Sequence, residues 1–100
     1  MLDRKTAQNY LTEAIDIIDR RGQTYDKSQQ QQERSMASIV IVFNQITGQD
    51  LTESQGWAFM QVLKLVRLHA NPDKFHEDSA VDAIAYAALA AECGANNRIA

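Results

Sequence analysis

Apolar positions recur at helical spacing in four stretches of the chain, separated by turn-forming and polar residues. From Thr6 to Arg20, the residues Ala7, Leu11, Ala14, Ile15 and Ile18 repeat at intervals of three and four, with Tyr10 and Ile17 at the margins. Glu13, Asp16 and Asp19 occupy the other side. The spacing predicts a helix over about 5–21, with Arg20 and Arg21 at its negative end and Gly22 as its stop. A second stripe, Met36, Ile39, Val40, Phe43 and Ile46, predicts a helix over about 28–47, capped by Asp26 or Ser28 and ended by Gly48. The β-branched run Ile39 to Val42 suits a strand by propensity, but the three-and-four spacing around it favours a helix. Ile41 and Val42 make this helix apolar on nearly every side, which predicts a central position or a subunit interface.

Thr52-Glu53-Ser54-Gln55 has the form of a capping box and opens a third helix, over about 53–70. It carries Phe59, Val62, Leu63, Val66 and Ala70, with Trp57, Met60 and Leu65 alongside, and ends at Asn71-Pro72. The last helix, over about 79–93, is capped by Asp78 or Ser79 and closed by Gly94. It is built largely from alanine, and small side chains predict close packing, with Ala87 and Ala88 inside. Four helices and short connections predict an all-α, four-helix antiparallel bundle as a single domain over residues 1–100.

Charge and composition narrow the setting. The formal net charge of -3 argues against a general electrostatic grip on nucleic acid. The longest apolar run, Ile39 to Phe43, is far short of a membrane span, and the charged start of the chain does not resemble a secretory leader. The single cysteine, Cys93, has no internal disulfide partner and suits a reducing cytoplasm. The histidines, His69 and His76, have no companions at zinc-ligand spacing, and no glycine-rich phosphate loop is present.

The candidate chemistry therefore rests on helix side chains. Lys64 and Arg67 are three apart, on one face of the third helix, and Asp78 and Asp82 are one turn apart on the fourth. Asp82 sits among apolar neighbours and needs a partner if buried. On one reading it pairs with Lys64 or Arg67 and pins two helices together. On the other, the cations hold a phosphate and the carboxylates hold Mg2+, a hard ion suited to oxygen ligands. Tyr10, Tyr25, Trp57 and Tyr86 are the aromatic rings available to stack on a base.

Taken together, Arg21-Gly22-Gln23-Thr24-Tyr25, Lys64-x-x-Arg67, Asn71-Pro72 and Asp78-Ser79-x-x-Asp82-x-x-x-Tyr86-Ala87-Ala88-Leu89 resemble a family of small phage and prophage proteins. That family is similar to nucleotide-modification-associated domains and, more remotely, to the MazG-like all-α nucleoside triphosphate pyrophosphohydrolases. The small family usually has glycine after the tyrosine of the Arg-Gly motif, where this chain has Asp26. In the wider superfamily, Glu-Glu-x-x-Glu on one helix and Glu-x-x-Asp on a later one bind magnesium. Asp82 matches the last of these positions, and Ser79 stands where the glutamate would be. No Glu-Glu-x-x-Glu occurs, and helix two offers only Glu33.

The resemblance implies a MazG-like accessory protein in the cytoplasm of a bacterial host, binding a nucleotide triphosphate with Mg2+ and, if it acts as a pyrophosphohydrolase, hydrolysing it by attack of water to release pyrophosphate. Lys64, Arg67, Tyr25 and Tyr86 are its expected nucleotide contacts, and Asp78 and Asp82 its expected metal ligands. The carboxylate set for hydrolysis is incomplete. A homo-oligomer is expected, as is the typical assembly of superfamily relatives. The alternative is a non-enzymatic helical protein that binds itself or a host protein.

Overall fold

A computed structural model describes residues 4–25 and 35–96, with the side chains of 22–25 left aside. The described residues form four helices and no strand: α1 (Ala7–Tyr25), α2 (Ser35–Thr47), α3 (Glu53–His69) and α4 (Glu77–Asn96). Residues 26–34, which contain the expected cap of the second helix and Glu33, lie outside the described part.

Local chemistry sets several helix ends. Thr6 and Asn9 cap α1 reciprocally: the Asn9 N–H donates to Thr6 Oγ1 at 3.1 Å, and the Thr6 N–H donates to Asn9 Oδ1 at 2.9 Å. The capping box of α3 forms as expected, with the Gln55 N–H on Thr52 Oγ1 at 3.1 Å and the Thr52 N–H on Gln55 Oε1 at 2.9 Å. Gly48 ends α2 with a φ of 72°, a conformation that costs glycine nothing. Asn44 then braces the turn into α3 by bonding both backbone groups of Leu51.

Three boundaries differ from expectation. α1 continues through Gly22 to Tyr25. α4 starts at Glu77, two residues early, because His76 Nδ1 accepts the Ser79 N–H at 3.2 Å and serves as the cap. Its far end passes Gly94 and reaches Asn96. Gly94 does not stop the helix but admits its neighbour: a Cβ there would lie 3.3 Å from Ser54 Oγ, which donates to the Ala90 carbonyl at 2.9 Å.

α3 and α4 form the closest pair and run antiparallel, with Ser54 beside Ala90 and Lys64 beside Asp82. α1 lies against α4, and α2 packs chiefly on α3. α1 runs parallel to α4, with Lys5 at Glu77, Ala14 packed with Val81 and Ala85, and Arg21 at Asp82. This corrects the all-antiparallel bundle. The nine residues from 26 to 34 separate α1 from α2, so α1 need not return directly along its successor. The result is elongated, 52 × 31 × 27 Å.

Two apolar clusters hold the helices. Met36, Val40, Trp57, Tyr86 and Leu89 form one; Ala14, Val81 and Ala85 form the other, and Ile18 of α1 touches both. Gly56 lets α2 approach α3, since a Cβ there would meet Met36 Sδ and lie 2.9 Å from Val40 Cγ1. Ala85 is fully buried, whereas Ala88 is exposed and Ala87 half-buried, so the close contact falls two residues earlier than expected. α1 also turns a different face inward. Ala14 is buried and Tyr10, Ile17 and Ile18 are half-buried, while Leu11 and Ile15 stand in solvent. Near the start of the chain, Lys5 bridges Glu13 and Glu77, and the hydrogen bonds it donates to Glu13 and then Glu77 hold its ammonium above the usual lysine range.

Candidate functional site

Asp82 is the hinge of the polar cluster. It lies on the first turns of α4, on the stripe that continues to Tyr86 and faces α3. Its Oδ2 accepts from Lys64 Nζ at 2.9 Å, and its Oδ1 lies 3.4 Å from Arg21 Nη2. All three side chains are shielded: 13% exposed for Asp82, 15% for Lys64 and 24% for Arg21. In so little water the charges depend on one another, and the group ties α1, α3 and α4 together.

Above this pair of cations lies a layered aromatic wall. The Arg21 guanidinium sits 5.0 Å from the centre of the Tyr86 ring. Tyr86 in turn stacks on Trp57, with ring centres 5.6 Å apart and planes inclined by 23°. Arg21, Tyr86 and Trp57 line an open cavity of about 270 Å3 together with Ser35, Met36 and Ile39 of α2 and Met60 of α3. Tyr86 and Trp57 are themselves largely buried, so what the arrangement offers is the apolar side chains of Met36, Ile39 and Met60 with a planar cation at the edge and a second cation paired to the same carboxylate.

The expected site residues divide. Lys64, Asp82 and Tyr86 come together. Arg67 is exposed, with no ion pair among the described residues, and Asp78 is likewise exposed and unpaired one turn from Asp82. Of the two cations expected as partners of Asp82, Lys64 is the one that pairs with it. The Tyr25 side chain lies outside the described residues. Arg21 is the residue that sequence reasoning missed as a site member. It was assigned to the helix dipole, although it opens the Arg-Gly motif that carries the family resemblance.

The fit to magnesium is poor at Asp82, whose two oxygens are each taken by a cation. No group of three histidine, cysteine, aspartate or glutamate side chains converges among the described residues. Ser79 is 1% exposed, and its hydroxyl has no hydrogen-bond partner among the described residues.

Cys93 lies toward the other end of α4, with its Sγ–H donating to Glu53 Oε2 at 3.1 Å. Burial, then the Glu53 carboxylate, push its thiol up to about 11, while the Trp57 side chain acts in the opposite sense. A raised thiol pKa means that the folded state favours the proton. The associated stability is present below the ordinary thiol range and is lost as pH rises through about 11. At pH 8 the thiolate fraction in the native protein lies well below that of the unfolded chain. Iodoacetamide should therefore label Cys93 far more slowly in the native protein than in urea; equal rates would show that the thiol is neither shielded nor hydrogen-bonded.

Fold and site together define a small all-helical protein with a cationic, aromatic-walled cavity between its helices. The chain belongs to the family described as Domain of unknown function (DUF6378), whose profile matches residues 9–94. No curated protein and no solved structure matches it. No helix among the described residues is long and apolar enough to cross a membrane.

Proposed function

We propose that the chain binds a nucleotide triphosphate in the cavity between Arg21, Tyr86 and Trp57, as a phage-type, MazG-like accessory protein. The observation that carries this reading is the Arg21 guanidinium layered on Tyr86 at the cavity wall, with Lys64 held by the same carboxylate. A base meets the apolar wall, and phosphate oxygens meet the fork of Arg21 and the ammonium of Lys64. Arg67 serves as an outlying cation for the distal phosphates. Asp78 is the acid left to meet a Mg2+ ion arriving on those phosphates, since Asp82 is committed to its cations. The reading stops at binding, because the described carboxylates do not make a hydrolytic set.

A panel of nucleoside triphosphates with magnesium, followed by thermal shift and by pyrophosphate release, tests this. A shift is expected for at least one nucleotide, and Arg21→Gln should weaken its binding at least tenfold. Arg21→Lys, which keeps the charge but loses the planar fork, should recover only part. Absence of both shift and turnover across the panel would overturn the reading.

A second reading, a non-enzymatic helical protein that binds itself or a host protein, is favoured by a different observation. Large apolar side chains on α2 and α3 stand in solvent. A homo-oligomer is expected under both readings.

A further inference from the structure

The apolar stripes legible in the sequence of α2 and α3 point, for the most part, away from the chain's own core. On α2, only Met36 and Val40 are buried. Ile39, Val42, Phe43 and Ile46 stand at i, i+3, i+4 and i+7, one face of the helix, and are 53%, 52%, 42% and 79% exposed. On α3, Phe59, Val62 and Val66 repeat the pattern at i, i+3 and i+7 and are 70%, 55% and 61% exposed. Charge does not interrupt either face. The sequence of α2 contains no charged residue, and Lys64, the one charge between Phe59 and Val66, is turned to Asp82.

We propose that these two faces bind a second copy of the chain about a two-fold axis, α2 and α3 of one copy against α2 and α3 of the other. This goes beyond the expectation of an oligomer by naming the surface. A two-fold contact sets a face against itself, so any charge on it meets its like; a face with none is suited to that pairing. The seven residues together leave roughly 800 Å2 uncovered, which is what each partner contributes to a stable interface. Ile39 also lines the cavity beside Arg21 and Tyr86, so the contact would brace α2 as one wall of the candidate site.

Sedimentation equilibrium of the full chain at tens of micromolar should give a species of twice the 11.2 kDa chain mass. The double variant Ile46→Glu, Phe59→Glu should dissociate at least a hundredfold more readily while keeping its helical circular dichroism. Should that variant unfold, wild-type protein mixed from isotopically labelled and unlabelled copies decides the matter. Filtered nuclear Overhauser spectra should then connect the methyls of Ile39, Val42 and Ile46 to residues of the other copy. A monomer overturns the proposal. So does an oligomer that survives both substitutions, or one without cross-copy contacts from these methyls; in those two cases self-assembly stands and nucleotide binding is untouched.

Discussion

Asp82→Asn is expected to destabilise the chain by about 2–3 kcal/mol, below the full cost of breaking a completely buried ion pair because Asp82 retains some exposure. The amide keeps the shape and one acceptor but removes the charge that, among the described residues, pairs with both Lys64 and Arg21. Two cations are then left close together in a partly shielded space, and three helices lose their common tie. Chemical denaturation of the variant at low and high salt measures this. The loss should shrink at high salt, as screening relieves the repulsion between the cations. A loss below about 0.5 kcal/mol would show that Asp82 is held against its cations for function at no benefit to folding. The same variant separates two roles at the cavity: if Asp82 only orients the cations, nucleotide binding weakens but survives; if it carried a metal, magnesium-dependent binding disappears.

Trp57→Ala should cost more, about 3–5 kcal/mol, the range for deleting a buried aromatic side chain. Trp57 is 3% exposed, lies in the cluster with Met36 and Val40, and forms the platform on which Tyr86 stacks. A chain of this size has on the order of 5–15 kcal/mol of total stability, so the variant should be close to unfolding at 37 °C. Trp57→Phe keeps a stacking ring and should lose clearly less. Urea denaturation followed by far-ultraviolet circular dichroism compares them. A cost below about 1 kcal/mol for the alanine variant would mean that the stack is not the core of the α2–α3–α4 junction.

Both predictions rest on long-range partners, and there the limits of sequence reading are plain. The helix count, the absence of strand among the described residues and the ends at Thr52 and Gly48 were legible because each depends on residues within one turn. A capping box satisfies its own backbone groups, and a glycine at positive φ needs no distant partner. Gly22 and Gly94 show the converse. Each looks like a stop, but a helix continues wherever packing on a neighbour outweighs a weak local preference, and Gly94 is occupied by the approach of Ser54.

The site was half legible. Asp82 was marked by its apolar context and Lys64 by its place near the loop joining their helices. Arg21, 61 residues away from Asp82, was not, because the parallel course of α1 along α4 is fixed by packing and is not written in any local spacing. The apolar stripes of α2 and α3 were read correctly as stripes, with α2 left between a central position and a subunit interface. Periodicity says that a face must be covered and does not say by what. The sequence by itself determined the helical segments, the capping box at Thr52, the stop at Gly48 and the existence of apolar faces on the helices. Only the tertiary structure decided which faces the chain covers for itself, because that choice depends on competing contacts between helices far apart in sequence, where burial, not local propensity, sets the energy.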